Sequence, residues 1–385
     1  MRCALSPIVR FTRPPAFVAA ALCGGLLLAG CGEAPAGPPP LTAAALAAVT
    51  DTPGAPKDRL AREVDDLFRD TEGLGETRAL LVMHAGEIAA ERYAPGYDAD
   101  TRHISWSMAK TVTAVIIGML VADGRLRLDD SPPIARWQRP GDPRGEITLR
   151  QLLQMRSGLR HTEAGDPPYD SAEVRMLFLD GRDDMADWAE AQPLEAEPGR
   201  QFEYSSNTTV ILAKIAANVL TRSDDPDTRR EAVDTFLKTR LFGPLGMDSM
   251  VVEYDAAGTM IGGSLMHATA RDWAKFGEFL RHGGSVRGSQ LVPRKWMDFM
   301  RSPSPRAQFY GAQTWLNRES GIDRDPDKPD RGPDTLFSAI GHMGQYVMVS
   351  PRQKLTLVRL GHSGQDVRFA MVDELMDIVE LYPER

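Results

Sequence analysis

Ser107 and Lys110 stand three residues apart in Ser105-Trp106-Ser107-Met108-Ala109-Lys110, the one Ser-x-x-Lys in the chain. The run TVTAVIIGMLVADG that follows is apolar enough for a buried helix. Residues three apart on a helix share a face, so the hydroxyl and the amine point the same way at its start. A serine hydroxyl is a weak nucleophile until a neighbour takes its proton. An amine one turn away on a packed element is one way to arrange that. Alone, the pair is a common coincidence. Its weight depends on whether the chain also supplies a base, and donors for the charge that develops on a substrate carbonyl.

Three later stretches can supply these parts, and each also has a purely structural reading. In Phe202-Glu203-Tyr204-Ser205-Ser206-Asn207, a tyrosine near a lysine ammonium has its pKa lowered and can serve as general base. It is equally a packed tyrosine before a helix, with Ser206 or Asn207 as N-cap. Gly341-His342-Met343-Gly344-Gln345 precedes the strand YVMV. A glycine beside an edge strand lets a substrate backbone come close, and the strand can offer amides. The plain alternative is a turn. Met260-Ile261-Gly262-Gly263-Ser264-Leu265 is a glycine loop that lies near a ligand or near other backbone.

The elements that must hold these residues follow from periodicity. Lys57–Asp70 has helical spacing of Leu60, Val64, Leu67 and Phe68. Arg78–His84 and Glu87–Tyr93 form a hairpin through Ala85-Gly86. The Ser107 helix ends near Gly124. Thr148 and Gln151 make a capping box for a short helix. Asn207–Leu220, Asp227–Leu241 and Thr269–Arg281 read as helices, and Gln308–Asn317 as a strand. Gln345–Ser350 and Lys354–Leu360 read as a second hairpin, and Asp366–Tyr382 as a final helix. The order predicts an α+β fold: an antiparallel sheet from both chain ends, flanked by N- and C-terminal helices, with an all-helical subdomain between. The Ser107 helix starts where sheet and subdomain meet, a usual place for a cleft.

Residues 1–30 read as a lipoprotein signal peptide. Arg2, Arg10 and Arg13 precede an apolar core too short to span a bilayer, which ends in Leu28-Ala29-Gly30-Cys31. That ending resembles the bacterial pattern in which the cysteine, here Cys31, is lipidated; Gly32 follows it, which points to an outer-membrane lipoprotein facing the periplasm. Cys3 and Cys23 leave with the signal, so the mature domain has no disulfide and no cysteine nucleophile. Residues 31–57, rich in Pro and Ala, read as a spacer. Residues 58–385 form the folded domain. The formal charge of −8 becomes −11 once three arginines leave with the signal, which argues against nucleic acid as a partner. The membrane is contacted through the lipid anchor; nothing points to a particular protein partner.

Taken together, SMAK, ITLRQLLQMRSGL, PGRQFEYSS, GGSLMHATARDWAKFGEFLRHGG and GHMGQYVMVSP resemble the serine β-lactamase-related family. That group holds class C β-lactamases, D-alanyl-D-alanine peptidases, esterases and hydrolases of 6-aminohexanoate oligomers, and AEPGRQFEYSS and MGQYVMVSP look most like the last branch. The resemblance runs from about Arg78 to the end of the chain. It implies Ser107 as acylated nucleophile, Lys110 as its electrostatic and proton-handling partner, and Tyr204 as general base. It also implies an oxyanion hole from the Ser107 and Gln345 backbone amides, with Ser206, Asn207, His342, Met343 and Gly344 binding substrate. The family's Tyr-x-Asn here has Ser206 at the Asn position and Asn207 one later. His342 replaces the lysine of β-lactamases, and Met343 removes a hydroxyl. Both changes favour an esterase or amidase for uncharged acyl groups over a penicillinase.

No Gly-x-Ser-x-Gly elbow, His-Glu-x-x-His or phosphate-binding Gly-x4-Gly-Lys motif occurs. The histidines lack metal-ligand spacing, and no cofactor or metal is implied. The acidic run from Asp323 to Asp334 echoes a calcium loop, but Lys328 stands where glycine is needed, so it reads as a solvated loop over the site. The expectation is an exported serine hydrolase acting on a small ester or amide. The alternatives are D-alanyl peptidase or β-lactamase activity, or a non-catalytic binding or sensor protein on the same fold.

Overall fold

The structure, a computed structural model, describes residues 40–321 and 327–384. The signal segment, Cys31 and the acidic residues 323 and 325 lie outside the described residues.

Six antiparallel strands form the main sheet, in the order Glu87–Tyr93, Glu76–His84, Leu355–His362, Gln345–Ser350, Phe337–Gly341, Trp315–Leu316. The first hairpin turns at Ala85 and Gly86, both at positive φ (54° and 93°), the twist a tight hairpin requires. It meets the last hairpin edge to edge, with Leu81 opposite Val358 and Val82 opposite Leu357. Side chains alternate across a strand. Leu80 and Val82 therefore pack with Leu60, Val64, Leu375 and Met376 of the helices Lys57–Arg69 and Arg368–Glu380. Leu81, Val347 and Val358 pack on the other face with Trp273, Phe276 and Phe279 of the helix Ala270–Arg281. Chain ends and sheet thus form the expected layers.

The helical region is built around two helices, Ala109–Ala122 and Ser206–Leu220, which pack on each other. The first is buried around its whole girth for three turns, as its apolar run requires. Gly118 lets the Trp296 indole lie flat on it. A Cβ there would sit 2.2 Å from Trp296 Nε1, which donates to the Ala114 carbonyl at 3.1 Å. Val112, Val115, Ile116 and Leu120 are fully buried, each worth roughly 1.5–3 kcal/mol.

Four expectations change. The compact unit begins at Leu41, inside the expected spacer: Ala43–Ala47 is helical, and Ala45 and Val49 are buried, with Val49 bridged to Ala90. Gln308–Asn317 is a strand only at Trp315–Leu316. Its Phe309 and Tyr310 turn inward into an aromatic cluster instead of alternating, with Gln313 at positive φ. Phe337–Gly341 is a strand the pattern did not suggest, because all five residues are buried and no alternation marks it. The described end of the acidic loop is anchored: Asp327 is 1% exposed, and Arg331 pairs with Asp377 and Glu380 of the last helix.

Candidate active site

Ser107 does not sit on the long helix itself. It lies on a 3-10 turn, Trp106–Met108, that runs into Ala109–Ala122. Trp106 has φ 44°, a costly conformation for a bulky residue, and it sharpens the turn. The turn is tied to the glycine loop: Ser105 N–H donates to the Met266 carbonyl (2.7 Å), and Ser105 Oγ accepts from Met266 N–H (3.2 Å). The strand Phe337–Gly341 runs against its other side. A Cβ on Gly341 would lie 2.2 Å from the Ser105 carbonyl, so this glycine serves backbone packing at the nucleophile turn. The expectation that it opens an edge strand to substrate is overturned, since Gln345–Ser350 is an interior strand.

Lys110 is 1% exposed. Its Nζ donates to Ser107 Oγ (2.8 Å), Ser206 Oγ (2.7 Å) and the Gly263 carbonyl (2.9 Å). Three acceptors match the three hydrogens of an ammonium. Burial opposes that charge, but Tyr204, Glu163 and Glu173 outweigh it, and the lysine is held above its ordinary pKa. The Gly262-Gly263 loop is thus a carbonyl contact for Lys110. The fit at Gly263 is tight: a Cβ there would fall 3.1 Å from the Ser206 carbonyl.

The Tyr204 ring centroid lies 4.8 Å from Lys110 Nζ, and its hydroxyl interacts with Ser107 and Lys110. Trp315 (5.0 Å) and Tyr310 (5.8 Å) pack on the ring. The expected lowering of its pKa does not occur. Burial raises it, Lys110 pulls it down, and Glu163 and Glu173 add to the rise, so the phenol stays above 10.

Ser205 caps the next helix by accepting from Thr208 N–H (3.1 Å). That leaves the Ser206 side chain free to face Lys110. Ser206 meets Lys110, whereas the Asn207 side chain is buried with no hydrogen-bond partner among the described residues.

Two glutamates that drew no attention in the sequence complete the floor. Glu163 Oε1 lies 2.7 Å from Ser206 Oγ and 3.5 Å from Lys110 Nζ. Glu163 Oε2 accepts from Ser206 N–H (2.8 Å) and lies 2.6 Å from His161 Nε2. Glu173 Oε1 is 2.9 Å from Ser206 Oγ. Burial pushes both carboxyls up; Lys110 and His161 reverse this for Glu163, whereas the Glu163 charge holds Glu173 high. They come from a loop and from the short helix Ala172–Phe178, with no motif or spacing to mark them.

The third stretch forms a turn, His342–Gly344, with Met343 at φ 57° and Gly344 at φ 79°. Gln345 locks it with its own side chain, Nε2 donating to the carbonyls of His342 (3.1 Å), Met343 (3.1 Å) and Gly361 (2.7 Å). Buried Arg359 holds the Gly344 carbonyl at 2.8 Å. His342 meets Trp106 edge-on at 5.4 Å, which brings this turn to the nucleophile. Burial, then the charges of Arg368 and His362, lower its pKa, so it is neutral at neutral pH. The structure therefore gathers Ser107, Lys110, Tyr204, Ser206 and the His342–Gln345 turn around one point and leaves Asn207 aside.

This arrangement is that of an activated serine with a buried cation and a phenol, and the comparisons agree on its class. The family model Beta-lactamase matches residues 69–379, and the chain belongs to that family. It is a hydrolase of the family by that membership. It is 26% identical over 325 residues to the 6-aminohexanoate-dimer hydrolase of Paenarthrobacter ureafaciens, covering 79% of this chain and 76% of that one. Its fold resembles a penicillin-binding protein homologue from Caulobacter crescentus (17% identity, TM-score 0.59, 85% and 98% of the two chains covered). It also resembles a family VIII carboxylesterase (14% identity, TM-score 0.59, 85% and 97% covered).

Proposed function

We propose that the protein hydrolyses a small ester or amide through an acyl-Ser107 intermediate. The observation that carries this is Lys110 Nζ, buried with its three donors committed, one of them to Ser107 Oγ at 2.8 Å. Because Ser107 Oγ accepts from Lys110, its own hydrogen is left for Tyr204. The small ionised fraction of Tyr204, which lies beside the Lys110 charge, takes that proton as Oγ bonds to the carbonyl carbon. The carbonyl oxygen gains the electron pair, with the Ser107 and Gln345 amides as its donors. Collapse expels the leaving group, which takes the proton from Tyr204. Water repeats the sequence and returns the proton to Ser107.

An ester or amide with an apolar acyl part is favoured over a β-lactam. Tyr204, Tyr310 and Trp315 give the site an aromatic wall, and neutral His342 offers no cation for a carboxylate. The amide named for the Paenarthrobacter relative makes ω-amino acid amides the first to try. Export belongs to the same reading, resting on Leu28-Ala29-Gly30-Cys31; lipid labelling that survives Cys31→Ser would remove it.

Fluorophosphonate labelling of wild type and Ser107→Ala tests the nucleophile. Label on wild type alone supports it. Equal labelling of both assigns the wrong serine, and labelling of neither favours a non-catalytic binding protein. A panel of p-nitrophenyl esters, aminohexanoate amides, D-alanyl peptides and nitrocefin then narrows the substrate.

A further inference from the structure

Ser206 Oγ has more close partners than one hydroxyl hydrogen can serve. Lys110 Nζ lies at 2.7 Å and must donate to it. Glu163 Oε1 lies at 2.7 Å and Glu173 Oε1 at 2.9 Å. A hydroxyl gives one hydrogen and accepts two. If both carboxyls were ionised, one of these short oxygen pairs would hold no proton. A second proton is therefore on one of the glutamates.

The surroundings say which. Glu163 accepts the Ser206 backbone N–H at 2.8 Å and lies 3.5 Å from Lys110. His161 reaches it at 2.6 Å; its Nδ1 is buried without a partner among the described residues, so Nε2 carries the hydrogen and donates. Among the described residues, each group in hydrogen-bonding contact with Glu163 can donate to it, which suits an anion. Among the described residues, the Glu173 carboxyl meets, besides Ser206, the Ser264 hydroxyl at 3.4 Å. The other titratable groups that feel Glu163 are Glu203, Tyr204, Tyr310 and His342, none of them a cation at neutral pH. Lys110 and His161 both lie against Glu163, and among the described residues no cation is in contact with Glu173, so an anion there would be unbalanced.

We infer that Glu173 is held as a neutral carboxylic acid donating to Ser206 Oγ, and that Glu163–Ser206–Glu173 is a single-proton array fixing Lys110 as its ammonium. Ser206 then has a full complement: it accepts from Lys110 and Glu173 and donates to Glu163. The directions in which burial and charge push the two carboxyls agree. Both glutamates are positioning residues, acting on the reacting groups through Lys110 and Ser206. The inference rests on the acyl-serine reading for its kinetic consequence. When Glu173 ionises, a second anion appears below Lys110 and Tyr204, and Ser206 loses a donor. Tyr204 then becomes harder to ionise, so the rise of kcat/KM with pH slackens over that interval.

The test uses the purified folded chain, wild type and Glu173→Gln, with a p-nitrophenyl ester. A glutamine can donate to Ser206 as the acid does, and it cannot ionise. Between about pH 6 and about pH 9, E173Q should gain roughly tenfold more in kcat/KM than wild type. Superimposable profiles overturn the inference. Infrared difference spectra of protein labelled with carbon-13 glutamate read the proton without turnover. A protonated-carboxyl band is expected in wild type at about pH 6 and lost in E173Q. It is also lost in Glu163→Gln, where Glu173 becomes the partner of Lys110. If E173Q does not fold, the wild-type band and its loss on raising pH carry the test, and its absence at about pH 6 overturns the proposal. Fluorophosphonate labelling of the same samples separates the two readings: a band present with Ser107 unlabelled removes the hydrolase reading and leaves the array, whereas labelled Ser107 without the band removes the array alone.

Discussion

Tyr204→Phe removes one oxygen and nothing else from the site. The ring keeps its contacts with Trp315 at 5.0 Å, Tyr310 at 5.8 Å and Lys110 Nζ at 4.8 Å. Stability should therefore move by less than about 1.5 kcal/mol, as for other volume-conserving changes. Activity should not be spared. A positioned general base contributes roughly 10²–10⁴-fold, or about 3–5 kcal/mol of barrier. The pH profile should change with it. The Tyr204 pKa is raised above 10, because burial and the two glutamates outweigh Lys110. The base form is then scarce at neutral pH, and kcat/KM in wild type climbs with pH into the alkaline range. Y204F should lose both the rate and most of that climb. Steady-state hydrolysis of a p-nitrophenyl ester across pH, beside urea unfolding of both proteins, measures this. A Y204F enzyme within tenfold of wild type, with the climb intact, would show that another group takes the Ser107 proton.

Gly341→Ala places a Cβ 2.2 Å from the Ser105 carbonyl, so strand and nucleophile turn must part; about 1–3 kcal/mol of stability and up to about 10²-fold in kcat/KM should be lost, read by unfolding and ester turnover. His342→Lys supplies the cation that neutral His342 lacks; nitrocefin turnover, slow in wild type, should rise about tenfold, the weight of one charge-assisted hydrogen bond. Fast nitrocefin turnover by wild type would contradict the account of His342. Asp327, 1% exposed with Oδ2 lacking a hydrogen-bond partner among the described residues, is raised by burial from 3.8 to about 7. A pKa raised on folding favours the native state fully below the unfolded value, and this is lost as pH rises through about 7. Asp327→Asn should therefore raise Tm at about pH 8, by up to roughly 4 kcal/mol of stability, with the gain gone near pH 4. A gain equal at both pH values would refute that origin.

The sequence alone determined the parts that local pattern can carry. Alternation marked both hairpins, and helical spacing marked Lys57–Arg69 and Ala270–Arg281. A capping box marked Leu149–Leu153. The motif order brought Ser107, Lys110, Tyr204 and the His342–Gln345 stretch into one candidate site, because each carries its residue types in a short contiguous run. The tertiary structure decided what depends on neighbours far along the chain. Phe337–Gly341 is buried on both faces and has no period to read. Tyr204 lies near a lysine, as expected, yet its pKa rises, because burial, with the acidic groups Glu163 and Glu173 beside it, outweighs one ammonium. Ser206 rather than Asn207 reaches Lys110, because Ser205 already caps the helix. Glu163 and Glu173 join the site from separate elements, and nothing in the order of residues says that two acids will share one buried cation. Spacing along a chain names groups on one face of one element; the charge state of a site is set by groups that only folding brings together.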